Sequence, residues 1–238
     1  FHVCNHGDTM SKKPISTGNM ELDSKMGGGL PLGSLVLIEG SSAAGKSVLT
    51  QQIVRGALNA MHTVALFTSE NTVSSMVTQM RSIDLDVLDF LLLGRLAILP
   101  MALTELGADA PMALLAAIRC ETGRSLIVVD SFTSAVINRQ NNQQILRFFE
   151  MCKRMCSDKT TIIISLHSGA IPPEMMSPIR SMCDAHLQLR TEQDGQRLVK
   201  TLEVTKIRGA AGVTGAIVGF EVEPGWGMRV IPISRARG

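Results

Sequence analysis

Residues 34–47 read SLVLIEGSSAAGKS. An apolar run, Ser34 to Glu39, leads into Gly40–Ser47, which spells G-x-x-x-x-G-K-[ST]. Each residue type at that spacing has a chemical reason. Gly40 and Gly45 allow the backbone to curl and let phosphates approach closely. The stretch Gly40, Ser41, Ser42, Ala43, Ala44, Gly45, Lys46, Ser47, Val48 then forms an anion nest opening a helix. Lys46 brings a point charge to the β/γ-phosphates, and Ser47 offers its hydroxyl to Mg²⁺. The ligands so indicated are the phosphates of a nucleotide and Mg²⁺. The context agrees, since a strand leads in and a helix, about Gly45 to Ala60, leads out.

Outward from this loop the chain alternates strand and helix. Thr63–Thr68 is a second strand and Thr72–Ser82 a helix. Arg95–Leu99 is a short strand, and Pro111 opens a helix reaching Glu121. Ser125–Asp130 is a buried strand, Gln143–Ser157 an amphipathic helix, and Thr160–Leu166 another strand. Continuous β-branched runs separated by helices predict an α/β fold with a mainly parallel sheet covered on both faces. Beyond residue 180 the runs Ala185–Leu189, Leu198–Lys206, Ala216–Glu223 and Met228–Ile233 are separated by turn signals. They predict appended antiparallel strands. No repeat is present. Residues 18–238 read as a single domain. Residues 1–17 read as a polar, poorly ordered lead-in, with Met10 a plausible natural start.

Two carboxylates and two cations complete the candidate machinery. Asp130 ends a buried parallel strand, where an acid holds Mg²⁺ from the ligand crevice; the alternative is a cap for the next helix, a role open to Ser131 as well. Glu70 ends the second strand and can orient an attacking water, or serve as a first-turn helix acid. Ser165 and His167 end a strand where polar groups can sense a γ-phosphate, or simply be satisfied hydrogen-bonders. Lys206 and Arg208, two residues apart, point to one side of a strand end. They can reach a phosphate held by an adjacent subunit, or be solvated charge.

Composition narrows the classes. Lys plus Arg total 23 and Asp plus Glu 21, so charge alone argues against a strongly basic nucleic-acid binder. The longest uncharged stretches, residues 56–69 and 160–173, are too short for a membrane span and contain His or Pro. Residues 1–10 lack the pattern of a signal peptide. The five cysteines form no pairing pattern and read as reduced thiols of a cytoplasmic protein. Cys4 with His6 lacks the second ligand pair that a metal site needs.

Taken together, GGGLPLGSLVLIEGSSAAGKS (27–47), Glu70, IVVDS (127–131), SLH (165–167) and VTKIRG (204–209) resemble the RecA superfamily and, within it, the KaiC-like ATPases. The resemblance covers the chain from about Thr17 onward and implies a RecA-like P-loop core. It also implies that Lys206 and Arg208 act as an intersubunit finger. The stretches GNMELDSKMGGGLP and EGSSAAGKSVLTQQ are similar to the single-domain KaiC-like ATPases of the archaeal flagellum, or archaellum. That likeness implies a homo-hexameric, ATP-binding ring at the inner face of the cell membrane. Its partners would be a polytopic membrane platform protein and a separate secretion-type motor ATPase. The pattern departs at one place. KaiC-like domains commonly carry two adjacent acids where this chain has Ser69-Glu70, which implies slow or no hydrolysis. A DNA recombination ATPase is the first alternative. Its candidate loops, 138–144 and 168–181, hold one basic residue each, Arg139 and Arg180, and no aromatic. A KaiC-like signalling kinase is the second, although such clock proteins have two tandem ATPase domains.

Overall fold

The structure, a computed structural model, describes residues 14–137, 142–156, 160–194, 197–209, 215–225 and 227–232. The strands are β1 (Leu35–Gly40), β2 (Val64–Thr68), β3 (Leu96–Pro100), β4 (Leu126–Asp130), β5 (Thr161–His167), β6 (Ala185–Asp194), β7 (Arg197–Ile207), β8 (Ala216–Glu223) and β9 (Gly227–Ile231). The helices are α1 (Met20–Lys25), α2 (Lys46–Asn59), α3 (Val73–Ser82), α4 (Leu88–Leu92), α5 (Ala110–Cys120), α6 (Thr133–Val136), α7 (Asn142–Cys156) and α8 (Pro173–Met182), with a 3₁₀ stretch over Leu103–Asp109.

The described strands form one sheet in the order β3-β2-β4-β5-β1-β6-β7-β8-β9. Every residue of β1, β2 and β4 is buried, because helices cover both faces. Alternation along each strand feeds two cores. Val36 and Ile38 face α2 with Leu66, Val128 and Ile163. Leu35 and Leu37 face α5 and α7 with Phe67, Val129 and Ile164. The second core is centred on Phe132 and Phe148, stacked at 4.4 Å, with Phe149 edge-on to both. Truncating such a ring to alanine costs about 3–5 kcal/mol. Phe132 lies two residues after Asp130, so this packing also fixes the end of β4.

From β1 the chain passes through α2 to β2, beyond β4 and β5. The C-terminal ends of β1, β4 and β2 therefore share one edge of the sheet, where α/β folds place their ligands.

Several expectations are corrected. Strand β6 is antiparallel to β7 as expected, but on its other side it pairs parallel to β1, Val36 with Ala185 through Gly40 with Leu189, and so joins the parallel part of the sheet. The reason is α8, a crossover helix between β5 and β6 that the sequence reading took for loop. Pro173 in its first turn and Glu174 beside it were the available signals. Strands β7, β8 and β9 are antiparallel as expected. Part of the predicted lead-in belongs to the fold. Ile15 is fully buried and bridges to Leu30, and Thr17 is held through its amide and hydroxyl by Asp23. Residues 1–13, including Cys4, His6 and Met10, and residues 138–141 of the first candidate DNA loop lie outside the described residues. Cys152, Cys156 and Cys183 are buried free thiols. Burial pushes Cys156 and Cys183 up to about 12.

Candidate functional site

The loop after β1 is shaped by two glycines for different reasons. Gly45 caps α2 at φ +99°, a conformation that favours glycine, and a Cβ there would meet the Phe220 ring at 3.0 Å. At Gly40 the constraint is space rather than backbone angle: a Cβ would lie 2.8 Å from the Leu189 carbonyl oxygen of β6. The parallel seating of β6 beside β1 is thus what demands the first glycine. Between them Ala43 takes φ +58°, so the left-handed turn falls on a residue that is not glycine. Ser41, Ser42 and Ala43 are exposed, Ala44 is buried, and Gly45, Lys46, Ser47 and Val48 are half-buried.

Lys46 turns back over this loop, its Nζ donating to the carbonyls of Gly40 (3.0 Å) and Ser41 (2.7 Å). Burial holds its pKa below the ordinary lysine value, and the carboxylates of Asp130 and Glu70 act in the opposite direction. A partly desolvated cation facing two carboxylates is a ready anchor for an anion that brings its own metal ion.

Asp130 is buried at the end of β4, in register with Thr68 of β2. That register places Glu70, two residues past Thr68, on the same edge, where its side chain is exposed. The Ser165 hydroxyl donates to Asp130 Oδ1 at 2.7 Å, both side chains being buried. Ser165 thereby sets the carboxylate's orientation, a role distinct from phosphate sensing. The ring of His167 faces the Ser168 carbonyl, Nδ1 to O 2.7 Å, while the Ser168 amide donates to Gly40 O at 3.0 Å. Ser69 stands where the family resemblance leads one to expect an acid. Its amide donates to Asp130 O, its hydroxyl contacts the backbone of Ser131, and Ser134 Oγ lies 3.0 Å away.

The structure thus brings residues 40–48, Glu70 and Asp130 to one edge. It does not bring Lys206 and Arg208 there. Lys206 is paired with His186, three residues before the Leu189 that flanks Gly40, roughly 10 Å down the strand direction. Lys206 Nζ donates to the carbonyls of Arg180, Ser181 and Cys183 at the C-terminal end of α8. Arg208 donates to Ser181 O and pairs with Asp184 at 3.5 Å, its side chain still half exposed. Both cations lie on the far edge of the sheet.

Sequence reasoning missed the ion cluster under the loop. Glu39, the last residue before Gly40, is buried and accepts three hydrogen bonds of 2.7–3.0 Å from Arg180 of α8, with His186 Nε2 at 3.1 Å. Burial pushes the Glu39 carboxyl up, but hydrogen bonds from His186 and Arg180 and their charges outweigh it and hold the pKa at about 2. The signal was a charged residue inside an otherwise apolar strand, LVLIE. Arg180, considered above for DNA, is committed to this pair.

The loop fits a nucleotide phosphate and Mg²⁺ on its own terms. Gly40 and Gly45, packed against Leu189 and Phe220, fix the course of a loop whose backbone amides are of the kind that hold a phosphate. Ser47 and Asp130 are hard oxygen donors of the type Mg²⁺ takes. Among the described residues no helix is long and apolar enough to cross a membrane.

Comparison with known proteins agrees with this geometry. Residues 15–235 match the family model for the KaiC-type ATPase. The archaeal flagellar ATP-binding protein FlaH of Sulfolobus acidocaldarius is 31% identical over 230 residues, covering 94% of this chain and 99% of that protein. The protein of the same name from Methanocaldococcus jannaschii is 27% identical, covering 91% and 94% respectively. The crystal structure of the flagellar accessory protein FlaH from M. jannaschii superposes with a TM-score of 0.82 at 26% identity, over 93% of this chain and 99% of that one. The chain therefore belongs to the KaiC-type ATPases and, among them, to the archaeal flagellar FlaH family.

Proposed function

We propose that this chain binds ATP with Mg²⁺ and uses it as a slow switch. It is a regulatory and scaffold subunit of the archaellum motor that assembles, nucleotide-dependently, into a homo-hexameric ring. The ring works in the cytoplasm at the inner face of the membrane. Its partners there are the secretion-type motor ATPase and the polytopic membrane platform protein. The observation that carries the ATP reading is Lys46, on the loop that Gly40 and Gly45 shape, facing the carboxylates of Asp130 and Glu70. The relatives named as flagellar ATP-binding proteins support the setting.

Each residue has a role in this reading. The amides of residues 41–47 and the Lys46 ammonium hold the phosphates, Lys46 leaving the Gly40 and Ser41 carbonyls to do so. Ser47 and Asp130 hold Mg²⁺, which neutralises phosphate charge when bound, and Ser165 keeps the Asp130 carboxylate turned for it. Glu70 orients water for attack. Ser69 supplies no second carboxylate, and its hydroxyl is already engaged with Ser131 and Ser134. Turnover is therefore slow. Lys206 and Arg208, on the far edge, do not reach the phosphates of their own loop, which favours delivery to a neighbour's nucleotide.

Calorimetry with ATP, with and without Mg²⁺, and steady-state phosphate release test this together. Tight Mg²⁺-dependent binding with turnover well below the roughly 1–10³ s⁻¹ common for enzymes is the expected outcome. Glu70→Gln leaves affinity within about twofold and removes the residual hydrolysis, since general-base positioning contributes about 10²–10⁴-fold. Rapid turnover by the isolated protein would overturn the switch and make it an active motor.

A further inference from the structure

Helix α8 carries a polar connection at each end of Arg180. Upward, its guanidinium grips Glu39 with three hydrogen bonds of 2.7–3.0 Å, directly beneath the phosphate loop. Glu39 is covalently joined to Gly40, whose carbonyl receives Lys46 and the Ser168 amide at the start of the segment leading to α8. Downward, Lys206 places all three of its ammonium donors on carbonyls at the end of α8, that of Arg180 included. A cation there also meets the negative end of the helix dipole. Lys206 is thus fully occupied within its own chain, whereas Arg208 keeps a half-exposed guanidinium.

We infer that Arg180 is a positioning residue for the phosphate loop, acting through Glu39, and that Lys206 acts with it by pinning α8. Lys206 is then not an equal partner of Arg208 at a neighbour's phosphate: Arg208 is the delivered cation, and Lys206 fixes the helix. The physical argument is geometric. A planar guanidinium forked on a buried carboxylate allows one orientation of that carboxylate. The next residue after it is the glycine that opens the loop. Loop amides that wander lose phosphate affinity, because preorganisation is what makes an anion nest strong. The inference rests on the loop being the ATP site.

The test is ATP affinity by calorimetry on dilute protein, with thermal melting followed in parallel. Arg180→Ala weakens ATP about tenfold, and Arg180→Lys restores part of the loss, since it returns the charge without the fork. Glu39→Gln weakens ATP to a similar degree. The double variant Arg180→Ala with Glu39→Gln is no weaker than the worse single, because both act through one contact. Lys206→Met weakens ATP about three- to fivefold in dilute protein, which a residue serving only a neighbour would not do. Lowered melting with unchanged ATP affinity in these variants would overturn the inference, as would losses that simply add in the double variant. Failure of the wild-type protein to bind ATP would instead sink the phosphate-loop reading, so the two failures are distinguishable.

Discussion

The two edges of the sheet are built on opposite principles. At the phosphate edge every determinant is internal: buried strands, a loop fitted against Leu189 and Phe220, and a carboxylate turned by a buried serine. At the far edge the cations rest on helix-end carbonyls and stand partly in solvent. The first edge is complete in one chain. In the proposed function, Arg208 of the second acts on the reaction only through another chain's nucleotide. Binding and assembly are therefore separable properties, and variants of Lys46 at one edge and Arg208 at the other should split them.

The largest effect lies at the phosphate edge. Lys46→Ala removes the cation that faces Asp130 and Glu70, and ATP affinity falls about 10²-fold or more by calorimetry. Retention of near-wild-type affinity would mean that the loop amides alone hold the ligand, and the contrast between the edges would lose its basis.

The ion cluster beneath the loop gives a pH-dependent effect. An unperturbed Glu39 carboxyl titrates at 4.5, and in the fold it titrates at about 2. The unfolded chain takes up this proton first as pH falls. The stabilisation is therefore complete above about pH 4.5 and is lost as pH drops from there through about 2. It amounts to about 3 kcal/mol. Urea unfolding should show Glu39→Gln less stable than wild type by that order at pH 7, with the gap closing towards pH 2. A gap that stays constant with pH would show that packing, rather than charge, makes the cluster valuable.

At Asp130 the effect is smaller and selective. Asp130→Asn keeps the shape and the Ser165 contact but removes the charge. Calorimetry should show about a tenfold loss with Mg²⁺ and little change without it. Equal losses in both conditions would assign Asp130 to holding the loop rather than the ion.

How far the sequence reached follows from where each signal is local. The loop, the strand-end acids and the parallel core were legible because residue type and spacing carry them. The direction of β6 was not, because it depends on whether residues 168–184 form a crossover helix, and Pro178 inside α8 disguised the helical pattern. Glu39 announced a buried charge, yet its partners lie 141 and 147 residues away, beyond any periodicity. Ser165 was legible by position with two roles open, and its hydrogen bond to a partner 35 residues away, Asp130, is visible only in the structure. The placement of Lys206 and Arg208 on the far edge is a consequence of β7 running antiparallel to β6.

The smallest effect is the one that sharpens the contrast most. Arg208→Ala removes a half-exposed guanidinium whose contacts among the described residues are one carbonyl at 3.0 Å and one carboxylate at 3.5 Å. Exposed pairs of this kind contribute about 0–1 kcal/mol, so the fold should hardly notice its loss. ATP binding to dilute, separate subunits should also persist, because the residue lies on the edge opposite its own loop. What changes is the protein concentration at which ATP drives association. A guanidinium that reaches a phosphate only across an interface contributes only once that interface forms, and its removal should raise the midpoint several-fold. Light scattering across a protein dilution series, with and without ATP, reads this directly. Weakened binding in dilute subunits with unchanged association would place Arg208 with α8 and Lys206. The far edge would then be a support for the near one and not a second half of the site.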